Sequence, residues 1–374
     1  MKERKPLTHD EAVAEVYRIT PQLQEYDEFM YLGVRWLPYT MFFHHKNYKS
    51  DVINTDDFGF RYTHCQNERY SMEQFPTDRP VNLLIGGSTA LGTGTTSDRY
   101  TVPSALCENT GEIWLNLGGR GYNATQELIL FLMHQHRFSQ INQVILLSGA
   151  NTLTLEGLPD NLACEHGRYY YSYEFQHYME AYNTDLRRRK NSYASLTGKT
   201  GNGSFHKAKE YFKKLLQDEN PTEVILSDDN IDLNQRILRA AWVTTNTLKQ
   251  WKQLLAPYGA KLSFVLQPIS SWTKDQFTPD EENMFYAIDC CANNFWRLFG
   301  KLCAKELHHP YRDAIEKECT QMSVTFMDMN ESLKNSSIIN ETFFVDHLHF
   351  NDAGYVEVAR LINEELIRKT GLNS

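Results

Sequence analysis

The sequence predicts an α/β protein built on a mainly parallel sheet. Short, continuously apolar runs alternate with stretches of helical spacing, and the first of these runs ends in a glycine pair. Continuously apolar strands are what a sheet covered by helices on both faces requires. A further observation sets the scale: 374 residues, 41% hydrophobic and 13% aromatic, can bury a sizeable core. At that length one α/β domain with a large insertion competes with two domains.

Taken in chain order, Thr8 and Glu11 have the form of a capping box and open a short amphipathic helix. The stretch from Phe29 to Phe43 carries Phe29, Tyr31, Trp36, Tyr39, Phe42 and Phe43 and is expected to pack against the domain. Arg35 and Pro38 interrupt it as a membrane-surface segment. Val81–Ile85 reads as the first strand, ended by Gly86-Gly87, and Thr101 with Pro103 starts the next helix. Ile113–Leu117 is the second strand, Gln126–His136 a helix capped by Asn123, and Val144–Leu147 the third strand. Ile237, Ala241, Thr244, Leu248, Trp251 and Leu255 mark a long helix stopped by Pro257 and Gly259. Leu262–Leu266 and Val324–Met327 supply the fourth and fifth strands. Between them Asn283–Cys319 reads as mostly helical, interrupted at His308-His309-Pro310. Tyr355, Val358, Leu361 and Ile362 form the apolar face of a closing helix, with Asp352 as its cap.

One segment breaks this rhythm. Residues 155–230 hold the cluster Tyr169-Tyr170-Tyr171 with Tyr173, Tyr178 and Tyr182, the basic run Arg187-Arg188-Arg189-Lys190, and the turn-rich Gly198–Ser204. The chain therefore divides into an N-terminal helical and aromatic extension (1–52), a main domain (53–154 with 231–374) and an insertion (155–230) that is a candidate lid or substrate-selecting subdomain, or else a helical elaboration that only shields the core.

The net charge of −9 argues against general nucleic-acid binding, which needs a basic face to neutralise phosphates. The basic run is expected to be a solvated helix face. Met1-Lys2-Glu3-Arg4-Lys5 is followed by polar residues instead of an apolar signal core. No stretch reaches the roughly 18 consecutive apolar residues of a spanning helix, so the expectation is a cytoplasmic protein. The seven cysteines show no CxxC spacing and Cys290 adjoins Cys291, so reduced, packed thiols are expected.

The chemistry lies in four short blocks: Gly86-Gly87-Ser88, Asn116-Leu117-Gly118-Gly119-Arg120-Gly121, Gly149-Ala150-Asn151 and Asp346-His347-Leu348-His349. Ligands of open α/β sheets bind beyond the carboxyl ends of the strands, and Ser88, Gly121 and Asn151 each follow a predicted strand. A serine hydroxyl needs a base within reach to become a nucleophile. His349 can be that base, since an imidazole with a pKa of about 6.5 can take a proton from serine and return it to a leaving group. Asp346 can hold the ring's other nitrogen. The N–H groups of Ser88 and Gly121 and the side-chain amide of Asn151 can stabilise the negative charge of an attacked carbonyl.

Taken singly, each block has another reading. Ser88 could cap a helix or belong to a phosphate-cradling loop with Gly92–Thr96, although the GxxxxGK[ST] pattern is missing. Asn151 could be a turn residue and His349 a structural one. His347 could replace His349 if the loop were twisted. A metal site from His44, His45, His347 and His349 lacks a characteristic spacing across the two pairs. Nothing in the sequence calls for a metal or an organic cofactor.

Together, in this order, the blocks resemble the SGNH, or GDSL, hydrolase family. Ser88 matches the family's serine, Gly121 its glycine, Asn151 its asparagine, and Asp346 with His349 its DxxH motif. Ile53-Asn54 followed by Gly59-Phe60-Arg61 is similar to a GFR segment of some members. The resemblance spans roughly Ile53–Asn151 and Leu233–Ile367 and leaves the insertion outside. It implies a flavodoxin-like three-layer α/β/α sandwich, with Ser88, Asp346 and His349 as catalytic residues and Ser88, Gly121 and Asn151 as the oxyanion hole. It implies too a carboxylic ester hydrolase acting on an acyl group of a carbohydrate, lipid or small metabolite. Acyl transfer by the same residues and a noncatalytic binding protein are the alternatives. Two positions depart from the family pattern: Gly87 stands where an aspartate is common, and Thr152 follows Asn151 where another aspartate is frequent.

Overall fold

Five strands form one parallel sheet: β1 (Val81–Gly86), β2 (Trp114–Gly118), β3 (Ile141–Ser148), β4 (Lys261–Leu266) and β5 (Thr325–Asp328). Their spatial order is 2-1-3-4-5, the flavodoxin-like order, whose topological switch point lies between β1 and β3. The structure is a computed structural model that describes residues 6–31, 35–164, 166–170, 182–189, 232–291, 296 and 300–368.

The two-residue period of a strand explains the layers. Leu83, Ile85, Val144, Leu146, Phe264 and Leu266 point to one face and meet Leu128, Phe131, Ile237, Leu248 and Ile315. These come from the helices Ala124–His134, Leu233–Leu255 and His308–Gln321. Leu84, Ile145, Leu147, Val265 and Met327 point to the other face, against Val102, Leu106, Val358 and Ile362 of the helices Val102–Thr110 and Asp352–Ile362. Because both faces are covered, polar residues are absent from most strand centres and the runs read as unbroken apolar segments. The expected α/β/α sandwich is present, and every expected strand lies within a residue or a few of its observed bounds.

Local signals set the helix ends. Thr8 and Glu11 do form a reciprocal capping box, as do Asn123 and Gln126 at the start of Ala124–His134. Two local expectations are corrected. His308-His309-Pro310 opens a helix instead of interrupting one, because a proline in the first turn gives up an N–H that has no intrahelical partner anyway. The final helix is capped by Asn351, whose side chain accepts from Gly354 N–H. Asp352 is its first residue and accepts instead from Thr96 N–H at 2.7 Å and Thr96 Oγ1 at 2.5 Å.

In the aromatic N-terminal stretch, Phe29, Phe42 and Phe43 are buried as expected, whereas Trp36 and Tyr39 are 55% and 80% exposed. The difference follows from a small antiparallel hairpin, Arg35–Leu37 with Met41–Phe43, whose tip leaves the core. Arg187, Arg188 and Arg189 lie exposed on a helical segment at 182–189. Tyr171, Tyr173, Tyr178, Lys190 and Gly198–Ser204 lie outside the described residues. Among the described residues no helix is long and apolar enough to cross a membrane.

The cysteines give a third correction. Cys65 and Cys107 form a disulfide between a short hairpin (Thr63–Cys65 with Glu68–Tyr70) and the Val102–Thr110 helix, with Cα atoms 5.4 Å apart. They stand 42 residues apart in sequence, and only packing of the hairpin on the helix brings them together. Cys164, Cys290, Cys291, Cys303 and Cys319 are free thiols, as expected. Cys65→Ser with Cys107→Ser is expected to lower unfolding stability by about 2–4 kcal/mol. Denaturant titration checks this: dithiothreitol should destabilise the native chain by a similar amount and leave the double variant unchanged.

Candidate active site

The switch point of the sheet collects the first three blocks. Ser88 opens a short helical turn, Ser88–Leu91, immediately after β1. Gly121 follows β2, with a left-handed φ of +72°. Asn151 sits in the helix Ala150–Leu155 after β3. Ser88 is the first helical residue, so its N–H belongs to the N-terminal donors that a helix leaves without internal partners.

The fourth block arrives from the far end of the chain. His349 Nε2 lies 2.6 Å from Ser88 Oγ, and His349 Nδ1 lies 2.6 Å from Asp346 Oδ2. The other Asp346 oxygen accepts the N–H groups of Leu348 (2.7 Å) and His349 (2.8 Å). Burial raises the pKa of this carboxyl, but the His349 charge, its hydrogen bond and the two N–H groups outweigh burial and lower it to about 2. An ionised Asp346 only accepts, so Nδ1 carries the ring proton and Nε2 presents its lone pair to the Ser88 hydroxyl. Ser88, His349 and Asp346 thus form one hydrogen-bonded row, as the sequence predicts.

His347 does not join it. Its ring is stacked between Phe285 and Trp296, at 4.4 and 4.5 Å between centroids. Its nitrogens face Ser270 Oγ (3.4 Å) and Asp289 Oδ1 (3.3 Å). The tight turn in which Asp346 accepts the N–H groups of Leu348 and His349 lies between the two histidines, and they face different neighbours. The sandwich holds the loop from below.

The loop has a second anchor that the sequence does not announce. Lys274 and Glu281 form a fully buried ion pair, at 2.7 Å between Nζ and Oε2. Glu281 Oε1 also accepts the N–H groups of Phe343 and Phe344, and Lys274 Nζ donates to Glu341 O. Removing one partner of a buried pair strands the other charge, which is why such a pair fixes the backbone it grips.

Gly87, the departure from the family pattern, has a steric reason here. A Cβ added at Gly87 would collide with Asn151 Nδ2, which donates to Tyr122 O at 2.9 Å. Asn151 packs directly over the glycine, so the amide reaches the Ser88 turn because position 87 has no side chain. The Ser88 turn is braced from its other end by Arg61. This fully buried guanidinium pairs with Asp98 at 2.6 Å and donates to the carbonyls of Leu91 (3.2 Å) and Gly92 (2.9 Å). Asn116 Nδ2 adds a bond to Leu91 O at 3.2 Å. In the sequence Arg61 is visible only as part of the Gly59-Phe60-Arg61 segment, and its role as a brace is not.

On the third side, the ring of Tyr170 stands 3.0 Å, and that of Phe42 3.5 Å, from where a Cβ on Gly121 would lie. Beneath Asn151, the Ser148 hydroxyl donates to the buried carboxyl of Glu127. Burial raises the Glu127 pKa to about 8, opposed only by that hydrogen bond. Among the described residues one group has metal-ligand character, His308, Asp328 and Glu331. His308 Nε2 is already paired with Asp328 at 2.8 Å. His44, His45, His347 and His349 do not form such a group.

Fold and site together define a three-layer α/β protein with a serine-histidine-aspartate row at the switch point of its sheet. No family profile and no curated protein matches the chain. Among solved structures it is similar to a carbohydrate acetylesterase from Sinorhizobium meliloti, with 11% identity and a TM-score of 0.40 over 78% of this chain and 99% of that one. It is similar also to a member of the lipolytic G-D-S-L family from Veillonella parvula (9% identity, TM-score 0.38, 78% of this chain and 100% of that one). A lipase/acylhydrolase from Enterococcus faecalis gives 10% identity and a TM-score of 0.37, over 78% and 97% of the two chains. Likeness at this level carries no argument about chemistry, which rests on the atoms described above.

Gly87→Ala is expected to leave the fold intact and to displace Asn151. In ester-hydrolysis assays it should lower kcat by about 10- to 100-fold, the scale of a misplaced catalytic group. Combined with Asn151→Ala it should cost little more than Asn151→Ala alone, because both changes remove one interaction. Glu127 gives a pH prediction. A carboxyl whose folded pKa exceeds its unfolded value binds more proton when folded, so stability falls as pH rises from about 4.5 to about 8. Glu127→Gln should therefore gain melting temperature relative to the native chain at pH 8 compared with pH 5, as read by calorimetry.

Proposed function

We propose that the protein is a serine hydrolase that cleaves a carboxylic ester through an acyl-enzyme on Ser88. The observation that carries this reading is the 2.6 Å approach of His349 Nε2 to Ser88 Oγ, with Asp346 on the opposite ring nitrogen. It argues against a noncatalytic binding protein, for which nothing would keep this row in register.

Ser88 Oγ attacks the ester carbonyl carbon while His349 Nε2 takes the hydroxyl proton. The carbonyl oxygen becomes an oxyanion that faces the N–H groups of Ser88 and Gly121 and the Asn151 amide. Collapse breaks the bond to the alcohol oxygen, which receives the proton from His349 and leaves. Water then loses a proton to His349 and attacks the acyl carbon. The second collapse frees the carboxylic acid and returns the proton to Ser88. Asp346, held ionised, stabilises the imidazolium in both halves.

The substrate class is an O-acyl ester of a carbohydrate, lipid or small metabolite, and a short acyl group suits the site best. Tyr170 and Phe42 crowd the Gly121 turn with aromatic surface and form an apolar border for a small acyl chain. Tyr170 stands at the root of the 155–230 insertion, which supports the reading of that insertion as a substrate-selecting element.

A fluorophosphonate probe should label the folded protein at Ser88, located by mass spectrometry. Ser88→Ala should abolish labelling and lower p-nitrophenyl acetate turnover by at least about 10^3-fold, Asp346→Asn by on the order of 10^4-fold, and Asn151→Ala by about 10^2- to 10^3-fold. Acetyl esters should outpace octanoyl esters. Unchanged turnover in Ser88→Ala removes the hydrolase reading, and acyl transfer to an added alcohol with no free acid would replace hydrolysis by transfer.

A further inference from the structure

We propose that His44 is a positioning residue for the oxyanion donor at Gly121, acting through the turn of residues 119–122. The inference rests on the hydrolase reading above. It starts from a buried imidazole that the reaction steps do not use. His44 is 6% exposed, and its Nε2 accepts the N–H of Arg120 at 3.0 Å, while Nδ1 lies 3.1 Å from Gly59 O.

The partners dictate the protonation state. A backbone N–H can only donate, so Nε2 must offer a lone pair, and a carbonyl can only accept, so Nδ1 must carry the proton. The neutral ring satisfies both contacts and the imidazolium cannot. Burial lowers the pKa to about 3, aided by the charges of Arg120, Arg35 and Arg61 and opposed by the Gly59 carbonyl. Phe43 stacks on the ring at 4.4 Å between centroids and Phe29 approaches its other surroundings at 5.9 Å.

The grip falls on the residue next to Gly121. Gly119 N–H donates to Gly86 O at the end of β1 (2.9 Å), and Tyr122 N–H closes the turn on Gly119 O (3.0 Å). The Tyr122 hydroxyl donates to Phe42 O, and Tyr122 O receives the Asn151 amide. Positions 119, 120 and 122 are therefore each held, and His44 holds 120 through its backbone N–H. It also explains Gly59. That residue has φ +97°, and a Cβ there would lie 2.7 Å from His44 O, so glycine lets the two backbones come close enough for His44 Nδ1 to meet Gly59 O. The Gly59–Arg61 segment thus serves both halves of the site: Gly59 supports the oxyanion turn through His44, and Arg61 braces the nucleophile turn.

Three variants test this with p-nitrophenyl acetate. His44→Phe keeps an aromatic ring but loses acceptor and donor, His44→Asn is too short to span both partners, and His44→Gln can supply an acceptor and a donor. His44→Phe and His44→Asn should lower kcat by about 10- to 100-fold with KM little changed, the pattern of an interaction made in the transition state. Affinity for phenylboronic acid, whose serine adduct places an oxygen in the oxyanion position, should fall in parallel. His44→Gln should recover most of both. The acid limb of the pH–rate profile should not move, because His44 is neutral on both sides of it. Equal kcat in His44→Asn and His44→Gln overturns the proposal, as does a native kcat in His44→Phe or a rise in KM alone. Ser88→Ala in the same assay separates the two readings. If it keeps turnover, the hydrolase reading fails and this inference with it; if it abolishes turnover while His44→Phe and His44→Asn are native, only the role of His44 falls.

Discussion

The contact between Ser88 and His349 joins residues 261 positions apart, and the architecture of the site follows from the need to keep it at hydrogen-bond length. Closing so large a loop has an entropic cost that one hydrogen bond cannot meet, so the rest of the fold must deliver both groups already in place. The parallel sheet does this for the serine. Its strands end on one edge, and the 2-1-3 order sets the turns after β1, β2 and β3 side by side. The histidine comes from a loop without regular structure and needs other means.

Those means are buried polar contacts. The Lys274–Glu281 pair grips the backbone at Phe343 and Phe344, the His347 sandwich holds the middle of the loop, and Asp346 folds it tightly by accepting two of its N–H groups. Thr89 Oγ1 ties the two halves directly by donating to Leu348 O at 3.3 Å. The Ser88 turn is fixed in the same manner by Arg61, whose charge is satisfied by Asp98 and several backbone carbonyls. A group buried with its hydrogen bonds complete is stiff, because any movement strands a donor or an acceptor in a low-dielectric interior. Such stiffness suits the proposed acyl-enzyme chemistry, where donors must stand ready before the oxyanion forms.

Much of this was legible in advance, and the reason is periodicity. The apolar runs at Val81, Val144 and Leu262 had to be strands buried on two faces, and the spacing from Ile237 to Leu255 had to be a helix. Capping chemistry at Thr8 and Asn123 is local and was equally visible. Local reasoning failed where the partner is distant or where one neighbour decides the outcome. Pro310 begins a helix because the first turn tolerates it, and Asn351 outcompetes Asp352 as cap because Thr96 engages the aspartate. Cys65 and Cys107 carry no spacing signal, since a hairpin packed on a helix made the pair.

The amino-acid sequence on its own determined the class of fold, the order of its elements and the four short blocks that meet at the candidate site, because hydrophobic period and the chemistry of serine, histidine and aspartate are properties of short segments. Only the tertiary structure decided why position 87 is glycine, which histidine of the last block faces the serine, and which side chains hold the two turns. Each of those outcomes depends on what arrives from elsewhere in space: the Asn151 amide over Gly87, the rings of Phe285 and Trp296 around His347, and the carbonyls of Leu91 and Gly92 at the Arg61 guanidinium.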